Sequence, residues 1–292
     1  MKISDIFSQA KAEGRQLISY EIFPPKGDLP LETARTVAAE LTESKPDFIS
    51  VTFSAGGGGN KGATADVSSI IQNRFSTPVM AHLTCMNSTR ASLDATVETF
   101  KDRGIQNILA LRGDPTPGGE VCDFQYAKDL IPVLKDQGFC VGAAAYPEGH
   151  VTCLDAKENI EHLKQKQDAG ADFFVTQLFF DNEAFYRFRD QAEKAGITVP
   201  ISCGIMPFLS KSQIQRMVFM CGASLPSGII KLLSKYEESP EALRQAGIEY
   251  AIGQLLDLSA HGADGLHVYT MNHPDIARAC TTALREAWAA KN

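Results

Sequence analysis

Acids, imidazoles, amides and a guanidinium recur at one kind of place in this sequence, the C-terminal end of an apolar run. Glu21 stands within Ser19-Tyr20-Glu21-Ile22-Phe23, and Thr52, His82 and Thr84 close the next two runs. Arg112-Gly113-Asp114-Pro115 follows Asn107–Leu111, and Tyr146-Pro147-Glu148-Gly149-His150 ends the fifth run. Gln177 lies within the sixth, and the last two lead into Gly204-Ile205-Met206-Pro207 and Tyr269-Thr270-Met271-Asn272. A polar group in a strand buried on both faces costs about 1–3 kcal/mol unless it is satisfied. One such group is usually a satisfied core residue, whereas several at the same end of successive strands line one pocket. Apolar surroundings raise a carboxyl pKa, so Glu21 is expected to act as a general acid near neutral pH. Its structural alternative is an ion pair with Lys26 or Arg112.

A second group follows the fifth run. Asn159, His162 and Lys166 are spaced i, i+3 and i+7 and share one helix face. With Tyr146 and His150 they offer an aromatic platform, hydrogen-bonding groups and a cation, a set suited to an adenosine diphosphate moiety. A solvated helix face is the alternative reading.

The elements that must position these groups follow from the hydrophobic pattern. Strands are expected at Leu17–Phe23, Asp47–Phe53, Pro78–Leu83, Asn107–Leu111, Phe139–Ala145, Phe173–Leu178, Val199–Ile205 and Gly265–Tyr269. Helical periodicity fills the gaps, as at Leu31–Ser44, Ala91–Arg103, Asp155–Ala169 and Asn182–Ala195, the last three closed by Gly104, Gly170 and Gly196. Continuous apolar strands alternating with helices predict an α/β fold, a (β/α)8 TIM barrel in a single domain over 1–292, with extra helices at about 210–260. A doubly wound open sheet is the rival, but no strand is followed by G-x-G-x-x-G. The run Gly56-Gly57-Gly58-Gly59 lacks the Lys-Ser/Thr of a P-loop and reads as a mobile loop over the barrel mouth.

Composition narrows the function classes. The 292 residues carry a net charge of −7 with no basic stripe, which argues against a nucleic-acid partner. The N-terminus lacks the apolar core of a signal peptide, and no run reaches the ~18 apolar residues of a membrane helix. A soluble, cytoplasmic protein is expected. The seven cysteines form no C-x-x-C pair, so neither a metal site nor a disulfide framework is expected.

Eight blocks in order closely resemble the methylenetetrahydrofolate reductase family. They are Tyr20-Glu21-Ile22-Phe23-Pro24-Pro25, His82-Leu83-Thr84-Cys85, Ala110-Leu111-Arg112-Gly113-Asp114, Ala145-Tyr146-Pro147-Glu148, 168–172, 176–181, Gly204-Ile205-Met206-Pro207 and Tyr269-Thr270-Met271-Asn272. The resemblance implies FAD across the barrel mouth, NADH or NADPH as co-substrate, and ping-pong reduction of 5,10-methylenetetrahydrofolate to 5-methyltetrahydrofolate. It implies that Glu21 supplies the proton for opening the bridging ring, while Asp114 stabilises the resulting iminium cation. Gln177 would serve pterin and nicotinamide in turn, and Gln213 and Phe179 would join Glu21 and Asp114 as substrate contacts. For FAD it implies Thr52, His82, Arg112, Gly113, Asp114, Ala127, Tyr146, His150, Asn159, His162 and Lys166. Two positions depart from the family pattern, Asn159 where aspartate is common and Gln165 where a basic residue occurs. Contacts to phosphate and ribose there are expected to be weaker. With the chain ending at Asn292, no regulatory domain and no inhibition by S-adenosylmethionine are expected. A homo-oligomer, or a complex with another redox subunit, is left open. The competing functions are a flavin-free, pterin-binding methyl-transfer barrel and a non-catalytic subunit.

Overall fold

β-Branched and aromatic residues without period-2 alternation are what a strand covered on both faces requires. The apolar runs accordingly form β1 (Leu17–Ile22), β2 (Phe48–Val51), β3 (Val79–Thr84), β4 (Asn107–Leu111), β5 (Cys140–Ala145), β6 (Phe173–Thr176), β7 (Ile201–Ile205) and β8 (Gly265–Tyr269). All pairings are parallel and sequential, and β8 returns to β1, closing the barrel. The computed structural model describes residues 1–24, 31–53, 61–114 and 123–290. The expected loop at Gly56–Gly59, and Pro25, Lys26 and Pro115, lie outside those residues.

Around the barrel run α1 (Ile3–Ala12), α2 (Leu31–Glu43), α3 (Lys61–Phe75), α4 (Arg90–Asp102), α5 (Ala127–Asp136), α6 (Ala156–Asp168), α7 (Asn182–Lys194), α8 (Lys211–Cys221), α9 (Ser227–Lys235), α10 (Pro240–Ala260) and α11 (Pro274–Ala289). Side chains at Thr89, Asp155, Asp181 and Ser210 accept hydrogen bonds from first-turn amides of α4, α6, α7 and α8, fixing where those helices begin. Among the described residues no helix is long and apolar enough to cross a membrane.

Strand alternation splits the core. Outward residues such as Tyr20, Ile22, Ile49 and Val51 pack under the helices. Inward residues at the N-terminal end, Leu17, Phe48, Met80, Leu109 and Phe173, form a separate apolar floor. The floor is sealed by α1, an element outside those expected from the sequence. Ile3, Ile6, Phe7 and Ala10 are buried there, and the Phe7 ring lies 5.5 Å from that of Phe173. The Ile3 amide donates to Asn107 Oδ1 at 2.8 Å, tying the plug to β4.

Beyond the ends of β6 and β7, α8, α9 and α10 cover a third cluster that includes Leu178, Phe180, Met206 and Phe208. α10 reaches it by close backbone approach at Gly247, where a Cβ would fall 1.8 Å from the Phe208 carbonyl oxygen. Only glycine fits there.

Candidate active site

The inward positions become polar toward the C-terminal end. Register sets Ser19 opposite His267, and Glu21 between Ser50 and Tyr269. Ser19 Oγ lies 2.7 Å from His267 Nδ1. On the ring's other side, Nε2 lies 3.4 Å from Ser50 Oγ and 3.8 Å from Glu21 Oε2. Ser50 Oγ donates to Glu21 Oε2 at 3.5 Å, and His82 Nε2 stands 3.5 Å from the same oxygen. Side chains from β2, β3 and β8 thus meet around one β1 carboxylate, with Ser19 behind the His267 ring.

This arrangement corrects the expectation for Glu21. Burial raises its pKa, but the His267 hydrogen bond, the electrostatic attraction of the two neighbouring imidazoles and the Ser50 hydrogen bond together hold it below the ordinary range. Its apolar chain neighbours, Tyr20 and Ile22, face outward into the helical layer and do not touch the carboxylate's side of the sheet. Nor is Arg112 its partner. Burial also pushes His82 down to about 4, against the attraction of Glu21, so this imidazole is neutral at ordinary pH. His82 Nε2 is buried without a hydrogen-bond partner among the described residues.

Beside this cluster a cavity of about 410 Å³ opens between β4, β5, α5 and α6. Arg112, Ala127, Tyr146, His150, Asn159, His162 and Lys166, all expected from the sequence, line it. Tyr146 and His150 meet edge to face, with centroids 4.9 Å apart, and Lys166 Nζ lies 5.1 Å over the Tyr146 ring. Lys166 donates to the Ala144 carbonyl at 2.8 Å, and burial lowers its pKa to about 8. Burial, then the charge of Asp114, pushes the Tyr146 phenol up to about 12. Burial and the nearby cations Arg112 and Lys166 lower His150. The Arg112 guanidinium sits 5.6 Å over Tyr126, and its Nε is buried without a partner among the described residues.

The two departures from the family pattern acquire physical reasons. Asn159 Nδ2 donates to the Tyr146 carbonyl at 2.9 Å, a bond no aspartate could donate. Gln165 Oε1 accepts from Lys128 at 2.8 Å, so the cavity has a cation of its own from α5. His162 is exposed at the rim, 3.7 Å from Glu158 Oε1, and Cys153 Sγ lies 3.7 Å from Glu158 Oε2.

The remaining expected residues divide. Thr52 lies directly after β2, its amide bonded to Ile22 and its carbonyl to Thr64. Gly113 has φ 78°, and a Cβ would come within 2.9 Å of Thr84 Cβ, so the β4 loop can pass here only as glycine. Asp114 is exposed at the rim. Gln177 follows β6, its amide bonded to Ala145 and its Oε1 to the Leu178 amide at 2.9 Å. Gln213 completes a helix cap: its amide donates to Ser210 Oγ, and its Oε1 accepts from Leu209 at 2.6 Å, leaving Nε2 only the weak Met206 sulfur. Phe179 is corrected as a substrate contact. It is fully buried and stacked on Phe185 of α7, with centroids 5.6 Å apart, so its ring belongs to the helical layer.

Sequence reasoning missed Ser19, Ser50, His267, Tyr269 and Lys128 as site residues. The alternation Leu266-His267-Val268-Tyr269 within a buried strand was the available signal for two of them. Tyr269 closes the wall between Glu21 and Gln177, its hydroxyl donating to the Thr176 carbonyl at 2.6 Å.

The sequence profile described as methylenetetrahydrofolate reductase matches residues 6–285. The chain belongs to the methylenetetrahydrofolate reductase family. Methylenetetrahydrofolate reductase 1 of Schizosaccharomyces pombe is 35% identical over 280 residues, covering 93% of this chain and 46% of the relative. The chain therefore spans about half the length of that yeast relative. The 5,10-methylenetetrahydrofolate reductase of Pectobacterium carotovorum is 35% identical over 274 residues, covering 93% of this chain and 91% of that one. A Clostridium thermocellum protein described as binding two copies of 5-methyl-5,6,7,8-tetrahydrofolic acid shares the family's barrel, with TM-score 0.69 at 14% identity over 97% of this chain and 99% of that chain.

Proposed function

We propose that this chain reduces 5,10-methylenetetrahydrofolate to 5-methyltetrahydrofolate with NADH or NADPH, using FAD held at the C-terminal mouth of a single catalytic barrel domain over 1–292. The observation that carries the reading is the meeting, at one barrel end, of a histidine-flanked carboxylate and a cavity walled by aromatic and cationic groups. A cavity of this size and lining suits one nucleotide half of a dinucleotide. Arg112 Nε, without a partner among the described residues, and the buried Lys166 suit a diphosphate, which would satisfy the first and stabilise the charged form of the second. Tyr146 offers a ring to stack on, and Gly113 lets the backbone approach closely.

When bound, FAD supplies hydride transfer between the nicotinamide and the folate. The residues of the chain supply the rest. Opening the bridging ring requires a proton at the departing nitrogen, and Glu21 is placed to deliver it. A folate lying over Glu21 would exclude water and raise the carboxyl from its depressed value in the unliganded protein. Asp114 would stabilise the cationic ring-opened folate electrostatically. Gln177 would hydrogen-bond pterin and nicotinamide in turn, and Gln213 Nε2 remains free to reach the substrate. We place the reaction in the cytoplasm, where the free thiols of Cys153 and Cys221 would stay reduced.

An anaerobic titration tests this. The purified protein should be yellow, NADH or NADPH should bleach it, and methylenetetrahydrofolate should restore the colour. A protein that binds no FAD on reconstitution would overturn the reading. Bleaching by dithionite but by neither nicotinamide would move the electron source to a partner redox subunit.

A further inference from the structure

Two imidazoles flank Glu21, and their surroundings differ. His82 presents Nε2 to the carboxylate with no hydroxyl among the described residues to exchange hydrogen bonds with. His267 sits between two hydroxyls, Ser19 Oγ at 2.7 Å from Nδ1 and Ser50 Oγ at 3.4 Å from Nε2. A serine hydroxyl both donates and accepts, so this pair satisfies the ring in its neutral and its charged form. The ring is also held in plane: it stacks on Phe48 at 19° and meets Tyr269 edge on at 89°. It is 1% exposed, and β7 offers only Gly204 opposite it.

We propose that His267 is the positioning residue that holds the proton Glu21 delivers, with Ser50 as the bridge and Ser19 as the ring's anchor. This rests on the function proposed above. In the step, the His267 Nε2–H bond breaks as the proton passes to Ser50 Oγ, whose own proton passes to Glu21 Oε2. Glu21 then loses that proton to the folate nitrogen, leaving His267 neutral and Glu21 anionic. Solvent water at the mouth returns one proton per turnover. The electron pairs stay on their heavy atoms, and no oxidant or reductant is involved.

The titratable and polar groups facing the pair are Ser19 and Glu21 on β1, Ser50 on β2, His82 on β3 and Tyr269 beside His267 on β8. His82 stays neutral above about 4. Burial raises Tyr269 well above the usual phenol range. Neither competes for the proton near neutrality.

The test is the pH dependence of the folate half-reaction in His267→Gln, measured on the FAD-loaded protein by stopped flow. Glutamine keeps a hydrogen bond but cannot hold the proton. The high-pH limb of the wild-type profile should move to lower pH by about one unit or more, and the rate near pH 7.5 should fall at least about tenfold. Flavin content and flavin reduction by the nicotinamide should be unchanged. Ser19→Ala should shift the limb in the same direction by less. An unmoved limb with a wild-type rate would overturn the proposal, as would equal loss in both half-reactions. Glu21→Gln run in parallel separates the two claims. If it leaves folate reduction intact, the proposed function fails; if it abolishes reduction while His267→Gln changes nothing, only the present inference fails.

Discussion

The two ends of the barrel interior are built from the same strands, one pleat apart, and have opposite chemistry. At the floor Leu17, Phe48 and Met80 point inward; one pleat up the same strands present Ser19, Ser50 and His82, and β8 passes from Gly265 to His267 and Tyr269. The floor is apolar and interlocked, with Phe48 and Phe173 centroids 6.4 Å apart across the barrel. The mouth holds a carboxylate whose charged form burial disfavours and a histidine nitrogen with no hydrogen-bond partner among the described residues. Stability is concentrated below, and groups left in need of a ligand are concentrated above. That division lets loops at the mouth serve chemistry without the core being rebuilt.

Substitutions should separate along the same line. Phe173→Ala empties the centre of the floor, where the ring touches those of Phe7 and Phe48. It should cost about 3–5 kcal/mol in urea unfolding, with FAD affinity per folded molecule unchanged. A loss below about 1 kcal/mol would mean that the floor does not carry the fold.

A smaller effect is expected at the cavity. Lys166 is charged below about 8 in the unliganded protein, against 10.5 when free. Its folded-state pKa is depressed, so folding is disfavoured by this group below about 8 and recovers as pH rises toward 10.5. A bound diphosphate favours the charged form, so FAD affinity should fall as pH rises through about 8, by up to about tenfold. Lys166→Gln should bind FAD more weakly below that pH and lose this step. A wild-type affinity that is flat across this range would remove Lys166 from the diphosphate contacts.

Much of the frame was legible because a doubly covered strand leaves a plain signal. The expected strand and helix ranges meet the observed ones to within a few residues, as at Asn107–Leu111 and Asn182–Lys194. α1 was hidden because a short helix at the terminus has meaning only against the floor it seals. The i, i+3, i+7 spacing placed Asn159, His162 and Lys166 on one face of α6, and all three line the cavity, but spacing alone fits a solvated face equally well. The state of Glu21 was not. Sequence shows its chain neighbours, Tyr20 and Ile22, which face the other side of the sheet. The groups that set its charge come from Ser50, His82 and His267, brought alongside only by barrel register. Phe179 misled because the period-2 alternation ends with β6 at Thr176, so a residue two after Gln177 can share its motif yet bury in another layer.

The central claim is that the carboxylate at the mouth supplies a proton that only the folate step requires. Stopped-flow measurement of both half-reactions in Glu21→Gln tests it most directly. Folate reduction should fall by about 10²–10⁴-fold, while flavin reduction by the nicotinamide proceeds at the wild-type rate. Equal loss in the two half-reactions, or none in either, would contradict it.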